Sequence, residues 1–205
     1  MNQTIKMKGN FDGAAKLFDF IRSGDSRRWG TIQKRFFSQL QGKILYVGIG
    51  TGQEIVNFPP GLDIVAIDIS AEMLKRAQER ISNYPGNMTS LIMDAHNTTF
   101  EDDNFDMVLT VCVLCTVEKP VEVLEELKRV LKPGGKLVSF EHVQSQNPLF
   151  AWPLYLMNFL SLKLTGTSLI RDTAKNIRLA GFDLFTDANV YLDIVKMFTS
   201  RKPEN

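Results

Sequence analysis

A short apolar run followed by three glycines at alternate positions constrains the fold of this chain more than any other feature. Ile44 to Val47 combine β-branched, aliphatic and aromatic side chains, which predicts a buried strand. Gly48, Gly50 and Gly52 follow at once. Glycines clustered after a strand permit a tight turn and let a ligand touch the backbone, because no side chain stands in the way. The stretch therefore predicts a strand that ends in a ligand-binding loop.

The spacing of these glycines argues against a dinucleotide ligand. The fingerprint of nicotinamide-dinucleotide folds is Gly-x-Gly-x-x-Gly, which would put its third glycine where this chain has Gln53. An NAD-dependent oxidoreductase would use the same fold and stays an alternative, but the glutamine disfavours it.

An acidic residue at the end of the next predicted strand supports a nucleoside ligand. The segment 63–69 is β-branched and apolar, which predicts a second strand, and Asp68 lies near its carboxyl end. Folds of this type place an acid roughly 20 residues beyond the first glycine, where it accepts the ribose hydroxyls. A carboxylate can accept both hydroxyls of a cis-diol. The loop and Asp68 together therefore predict a nucleoside site.

Strand and helix patterns alternate along the rest of the chain. Further strands are predicted over 89–95, 105–114 and 136–143, with helices after Ser70 and at Pro120. The short connections predict an α/β fold with a doubly wound, mostly parallel sheet. The final strands, 182–188 and 191–199, follow each other too closely for a crossover helix, so the last is expected to be antiparallel and to complete a sheet of seven strands.

The length of 205 residues suits a single domain. Within it we expect a helical cap over 1–40, a ligand-binding core over 41–143, an apolar insertion over 144–170, and a helix with the last strand pair over 171–205.

The amino-terminal cap is basic, whereas the rest of the chain is acidic. Residues 1–43 contain nine Lys or Arg and three Asp, and the remainder contains 15 basic and 20 acidic residues. Two amphipathic helices are predicted here, one over 11–21 and, after a break at 23–26, one with a single apolar stripe made of Trp29, Ile32, Phe36 and Leu40. The cap predicts an anionic partner, either a membrane surface or an acidic substrate. A solvated face that docks on the chain's own acidic part is the alternative.

The segment 148–164 is almost wholly apolar. It is shorter than the roughly 20 residues of a spanning helix, and Pro153, Asn158 and Lys163 interrupt it. Three interpretations stay open: a buried helix, a lid over an apolar pocket, or an element that lies in the plane of a membrane.

The cysteines and histidines do not form a recognisable metal or redox motif. Cys112 and Cys115 lie three apart in a predicted extended run, where their side chains face opposite ways. His96 and His142 are the two histidines, which leaves too few ligands for a metal site. The first residues lack the apolar core of a signal peptide. A reducing compartment, the cytoplasm, is therefore expected, with or without membrane association.

Taken together, these motifs resemble the Rossmann-like (class I) S-adenosylmethionine-dependent methyltransferases over about residues 40–200. The residues that carry the resemblance are Val47-Gly48-Ile49-Gly50-Thr51-Gly52, Asp68, Asp94-Ala95, Phe105-Asp106-Met107-Val108 and Leu131-Lys132-Pro133-Gly134-Gly135. A narrower likeness lies in 113–117, 140–143 and 170–173, which look like methyltransferase-like thiol methyltransferases, phospholipid N-methyltransferases and quinone C-methyltransferases. It implies a small-molecule or lipid acceptor and leaves sulfur, nitrogen and carbon open.

The resemblance also implies roles for particular residues around S-adenosylmethionine. Gly48, Gly50 and Gly52 would close on its methionine end, and Asp68 would bind the ribose. Ile69 and Met73 would pack on the adenine.

The remaining roles concern the adenine edge and the methyl group. Asp94 would accept the adenine amino group, and the Ala95 N–H would donate to a ring nitrogen. Val111 and Cys112 would border the methionine and the transferred methyl. His142, at the end of the fifth strand, is the candidate for positioning the acceptor or taking its proton. No obligatory catalytic residue is expected, because alignment of an activated methyl can supply most of the rate.

Two further alternatives come from other classes of protein. A non-catalytic membrane-docking protein could retain the nucleoside pocket as a relic. An RNA methyltransferase would suit the basic cap, but the sequence contains no added RNA-binding module, so nucleic acid is not an expected partner.

Overall fold

The computed structural model describes residues 25–204. The chain divides into two compact units, residues 1–94 and 95–205. The helix predicted over 11–21 lies outside the described residues.

The first unit alternates helices with three parallel strands. Its elements are helix α1 (Asp25–Phe37), strand β1 (Lys43–Val47), a short 3-10 helix (Gln53–Asn57), strand β2 (Asp63–Asp68), helix α2 (Ala71–Ser82) and strand β3 (Asn87–Ile92). β1 pairs with β2 and β2 pairs with β3, both in parallel. Since β1 and β2 are almost wholly buried, their continuous apolar runs are those of central strands.

Helix α1 buries most of the predicted stripe but not all of it. Phe36 is buried, as is Leu40 just after the helix, whereas Ile32 is exposed and the polar Gln33 is buried in addition. The amide of Asn57 donates to the Gln33 Oε1 at 2.8 Å, so the buried polar side chain is satisfied by a residue 24 positions away. The predicted break at 23–26 is also wrong at its end, because the helix already includes Asp25 and Ser26.

Helix α2 matches its sequence signals. The Ser70 hydroxyl accepts the Met73 N–H at 3.1 Å, which caps the first turn. Its predicted apolar stripe (Met73, Leu74, Ala77 and Ile81) is buried. The cap fixes the start of the helix directly after β2, two residues beyond Asp68.

The second unit contains the other four strands and three helices. Its elements are β4 (Phe105–Val111), α3 (Pro120–Val130), β5 (Leu131–His142), α4 (Pro148–Thr165), α5 (Thr173–Leu179), β6 (Asp183–Tyr191) and β7 (Val195–Arg201). β4 and β5 are parallel, whereas β7 pairs antiparallel with both β5 and β6. The expected antiparallel last strand is confirmed.

Strand β5 begins five residues earlier than predicted. The turn signal at 132–135 favoured a strand from Lys136, but Leu131 already pairs with Phe105. The register then shifts between Phe105 and Met107, which absorbs Gly134 and its left-handed φ of 72°. Glycine and proline here mark an irregularity inside the strand, not a loop before it.

The seven strands form one sheet in the order β3–β2–β1–β4–β5–β7–β6. The α/β class, the number of strands and the mixed direction agree with the prediction.

Helix α4 is apolar and largely exposed. Leu149, Trp152 and Phe159 are 79%, 71% and 76% exposed. The interpretation of this segment as a buried helix is therefore wrong, because the helix carries apolar residues on all sides and only part of them can meet the protein. None of the helices in the described part of the chain is both long and apolar enough to cross a bilayer.

The segment that carries α4 leaves the sheet and returns to nearly the same point. The Gln144 N–H, just past β5, donates to the carbonyl of Arg171 at 2.9 Å. The Asp193 carboxylate accepts the N–H groups of Gln146 and Asn147 at 2.7 and 3.2 Å, which fixes the departure. On the way back, the Leu169 N–H donates to the Asn158 side chain at 2.9 Å.

Candidate functional site

The glycine turn after β1 has the backbone that its sequence predicts. Gly48, Gly50 and Gly52 have φ of 64°, 56° and 76°, a region that residues with side chains enter at a cost. A Cβ on Gly52 would come within 2.9 Å of Ile55 and 3.3 Å of Ala77, so this glycine is needed for packing within the unit. A Cβ on Gly50 would meet nothing within 4 Å. The space beside Gly50 is therefore open to a ligand.

Backbone hydrogen bonds hold this turn against the neighbouring strand. The N–H groups of Gly48 and Ile49 both donate to the carbonyl of Ile67, at 2.8 and 3.1 Å. From the other side, the Arg80 guanidinium donates to the carbonyl of Thr51 at 2.8 Å. The turn is thus fixed before a ligand binds, which lowers the entropy cost of binding.

The Asp68 carboxylate lies directly against the glycine turn. Its Oδ2 accepts the Gly50 N–H at 2.8 Å and its Oδ1 accepts the Ser70 N–H at 2.9 Å. The residue is only 9% exposed. A carboxylate has about four acceptor directions, so these two bonds orient it without using its whole capacity. The acid and the glycines that the sequence predicted as partners are therefore brought together.

The other site residues predicted in the first unit lie at or near the ends of β2 and β3. Ile69 is half-buried, whereas Met73 is 4% exposed and belongs to the packed face of α2. Asp94 is half-buried, and the preceding Met93 N–H donates to the Asp68 carbonyl at 3.0 Å. The backbone at Asp94 is thereby held close to that at Asp68.

In the second unit, Val111 and Cys112 lie at the end of β4 and His142 lies at the end of β5, whereas Ala95 lies between β3 and β4. Ala95 is half-buried, and Val111 is buried as the last residue of β4. Cys112 has a left-handed φ of 55° and donates its N–H to the Phe140 carbonyl at 2.8 Å. Such a conformation costs about 1 kcal/mol or more in a residue with a side chain. Surrounding contacts must hold the chain in this turn.

Glu141 supplies one of those contacts, and the sequence did not predict it. It is fully buried, and its Oε1 accepts the Val113 N–H at 3.1 Å. Its Oε2 is buried and has no hydrogen-bond partner among the described residues. Burial raises the pKa of Glu141 to about 7, although hydrogen bonds from the Val113, Leu114 and Cys115 backbone lower it. The only available signal was the alternation along β5, where Glu141 shares a face with the buried Ser139.

The turn after β4 is also held from the segment that follows α4. The Arg171 guanidinium donates to the Val117 carbonyl at 2.8 Å, and the Ser168 N–H donates to the Cys115 carbonyl at 2.8 Å. Burial lowers the pKa of Arg171, while charge on Cys115 and Glu141 raises it. We call residues 112–117 the β4 loop. Its conformation depends on Glu141 on one side and on 168–171 on the other.

The cysteines and His142 have separate surroundings. Cys112 and Cys115 are free thiols. Burial, followed by the nearby Glu141 charge, raises the pKa of the Cys115 thiol well above its usual value. His142 is half-buried at the end of β5, opposite Val195 on β7. Across residues 25–204, no cluster of three or more His, Cys, Asp or Glu could hold a metal ion.

Comparison with known proteins identifies the family. The model of the methyltransferase domain matches residues 45–139. The ubiquinone/menaquinone biosynthesis C-methyltransferase UbiE of Ectopseudomonas mendocina is 29% identical over 215 residues, which cover 90% of this chain and 82% of that protein. This chain is a class I S-adenosylmethionine-dependent methyltransferase.

Solved structures agree with this methyltransferase fold. A SAM-dependent methyltransferase of Methanosarcina mazei has a TM-score of 0.66 at 19% identity, covering 82% of this chain and 96% of that one. Phosphoethanolamine N-methyltransferase 2 of Haemonchus contortus, in complex with S-adenosylmethionine, has a TM-score of 0.66 at 16% identity, covering 86% of this chain and 52% of that one. The predicted fold, enzyme class and cofactor are confirmed.

The first unit of the methyltransferase fits the cofactor. Gly50 leaves open space beside a turn that is already fixed, and Asp68 presents a buried, oriented carboxylate next to it. An acceptor of this kind suits the two ribose hydroxyls. The individual contacts of Gly48, Gly50, Gly52, Asp68, Ile69, Met73, Asp94, Ala95 and Val111 with the cofactor stay predictions.

Proposed function

We propose that the methyltransferase transfers a methyl group to a small, lipophilic acceptor, and that the aromatic ring of a quinol, the reduced form of a quinone, is the best-supported acceptor. A thiol and a lipid amine are the alternatives. Helix α4 is the observation that carries this proposal.

An exposed apolar helix is costly unless something apolar meets it. Nine large apolar side chains of α4 are at least 36% exposed: Leu149, Phe150, Trp152, Tyr155, Leu156, Met157, Phe159, Leu160 and Leu162. Contiguous apolar surface of this kind marks a binding site for apolar partners or for membranes. A water-soluble acceptor would not require it, whereas an acceptor that resides in lipid would.

The choice of a ring acceptor rests on the relatives. The UbiE proteins are named as ubiquinone/menaquinone C-methyltransferases, and the likeness covers most of both chains at 29% identity. This supports methyl transfer to carbon over transfer to sulfur or nitrogen.

The chemistry asks for alignment more than for a particular catalytic side chain. Bound S-adenosylmethionine supplies a methyl group that its sulfonium already activates. The acceptor atom forms a bond to that methyl as the carbon–sulfur bond breaks, the sulfide leaves as S-adenosylhomocysteine, and the acceptor loses one proton. Residues that hold the acceptor in line can supply most of the rate. We assign this positioning to the β4 loop, with His142 as the candidate that receives the proton.

The same surface suits a membrane. A helix that cannot span a bilayer but exposes Trp152 and Tyr155 with many aliphatic side chains can lie in the interface, where such aromatic residues are favoured. The basic first 43 residues would add attraction to anionic lipid. We therefore propose a cytoplasmic enzyme that meets its acceptor at a lipid surface, with residues 144–170 as the acceptor-facing insertion.

A turnover screen with labelled S-adenosylmethionine tests this function. It compares a quinol, an aminophospholipid, an alkyl thiol and a hydrophilic thiol, the lipids in detergent micelles. We expect the quinol to be methylated fastest, and Asp68→Ala to lose activity with every acceptor. If the hydrophilic thiol were the only substrate, the lipophilic proposal would be wrong. Cofactor binding without turnover of any acceptor would favour the relic pocket.

A further inference from the structure

A cavity of about 540 Å³ lies wholly within the second unit, between the first half of α4 and the sheet. The segment after β5 (Val143 to Gln146) forms one wall, and the start of α5 forms another. Lys196 and Phe198 on β7 belong to its sheet side. A volume of this size suits a one-ring or two-ring molecule.

Three aromatic side chains give the cavity its apolar part. Trp152 and Tyr155 are three residues apart on α4, so they lie on neighbouring positions of one helix face. Phe198 is almost fully buried and closes the opposite side. Flat aromatic surfaces of this kind favour a planar ring over a flexible aliphatic chain.

Most of the charged groups around the cavity already have partners. Lys196 pairs with Asp187 at 2.8 Å, and both line the cavity. The Asp172 carboxylate accepts the Lys175 N–H at 3.0 Å and caps α5. Lys196 and Asp187 neutralise each other, whereas Asp172 keeps its negative charge, because its partner is a neutral backbone N–H.

Arg171 is the exception. It lines the cavity and donates to the Val117 carbonyl, yet no carboxylate of residues 25–204 lies within 4 Å of its guanidinium. Its Nε is buried without a hydrogen-bond partner among those residues. The charges of Cys115 and Glu141 act on Arg171 without an ion pair. A half-buried cation that forms no direct ion pair attracts an anion more strongly than an exposed one, since less water screens it.

We propose that this cavity binds the acceptor ring, and that it selects an aromatic ring with an anionic oxygen, a phenolate or a carboxylate, held toward Arg171. The inference rests on the proposed function, because it gives the methyl acceptor a defined site. Arg171 also holds the end of the β4 loop. An acceptor anion bound to Arg171 would therefore also stabilise the conformation of the β4 loop.

The two tryptophans of the chain make a direct binding test available. Trp29 lies in α1, and Trp152 lines the cavity. In a Trp29→Phe background, Trp152 is the sole fluorescent tryptophan. Titration with 4-hydroxybenzoate should change its emission, whereas the neutral isostere 4-hydroxybenzamide should bind about tenfold more weakly or worse, the usual loss for one charge-assisted hydrogen bond.

Two substitutions and one control separate charge from shape. Arg171→Gln should remove the preference for the anion, whereas Arg178→Gln, an exposed arginine on α5, should leave it intact. Because Arg171→Gln also releases the β4 loop, Ala151→Leu provides a second variant that narrows the cavity from α4 without touching a charge. It should weaken both probes about tenfold.

Calorimetry with S-adenosylmethionine separates this inference from the function on which it rests. Wild type, Arg178→Gln and Ala151→Leu should bind the cofactor equally, within about twofold. No emission change at Trp152 with cofactor binding intact would overturn the cavity as a ring site. Equal affinity for both probes, or equal losses in Arg171→Gln and Arg178→Gln, would overturn the anionic class. Absence of cofactor binding would contradict the methyl-transfer proposal, and the probe titrations would still show whether the cavity binds an anionic ring.

Discussion

Replacing Glu141 with glutamine should change how the stability of the protein depends on pH. Glu141 is fully buried, and its pKa rises from 4.5 to about 7 chiefly because burial disfavours the charged form. Cys115 and Arg171 are the titratable groups whose charges act together with it. Glutamine keeps the shape and the Oε1 acceptor for the Val113 N–H but cannot ionise.

The sign of the effect follows from proton uptake. Between pH 4.5 and 7 the unfolded chain has an ionised Glu141 and the folded chain has a protonated one. The contribution of Glu141 to the free energy of unfolding is therefore fully present below pH 4.5 and is lost as the pH rises through 7. A shift of this size corresponds to about 3 kcal/mol, at roughly 1.4 kcal/mol per pH unit. Glu141→Gln removes that dependence and instead buries an amide N–H₂, at a constant cost of about 1–3 kcal/mol.

Urea unfolding at pH 5, 7 and 8.5 measures the difference. Relative to wild type, the variant should be destabilised at pH 5 and should gain roughly 2–3 kcal/mol by pH 8.5. Titrating groups that do not interact with Glu141 cancel, since both proteins contain them. Glu125→Gln, an exposed glutamate on α3, is the matched control and should show a flat difference. If the Glu141→Gln difference were equally flat, Glu141 would not titrate as its burial implies.

Three shorter predictions concern the cofactor and the membrane. Asp68→Ala should weaken S-adenosylmethionine binding by about 1–3 kcal/mol in calorimetry, and unchanged affinity would remove Asp68 from the site. Gly50→Ala should cost about 1 kcal/mol of stability through its positive φ but much more in cofactor affinity, and normal binding would mean that the turn does not face the ligand. A double variant, Leu149→Ser with Phe159→Ser, should co-sediment less with anionic vesicles than wild type, whereas Val56→Ser, exposed in the first unit, should not. Equal recovery of wild type, the double variant and Val56→Ser would exclude α4 as the lipid contact.

Local signals in the sequence were sufficient for the parts of the structure that depend on local chemistry. The glycine turn has the positive φ that its residues favour, and Ser70 caps α2 because its hydroxyl reaches an N–H three residues later. The pairing of Asp68 with Gly50 could also be predicted, since parallel neighbouring strands end at the same edge.

Features that depend on distant contacts could not be predicted in this way. Gln33 is buried because Asn57 satisfies its amide, and a stripe of apolar residues cannot reveal such a partner. His142 could be predicted at the end of the fifth strand, but the burial of its neighbour Glu141 depends on the β4 loop folding over it. The exposure of α4 was equally hidden, because an apolar sequence predicts burial in something without saying whether that is protein or lipid.

The hydrogen bond between Gln144 and Arg171 has a consequence for how this enzyme could diversify. The stretch between those residues begins and ends at one point, so a much shorter linker could join them without moving β5 or α5, and the entropy of closing the loop changes only slowly with its length. The stretch could therefore be exchanged as one unit. Substituting another sequence there would exchange the surface that we propose meets the acceptor, while the glycine turn and Asp68 keep their own contacts. On that proposal, acceptor choice can evolve, or be engineered, separately from the cofactor.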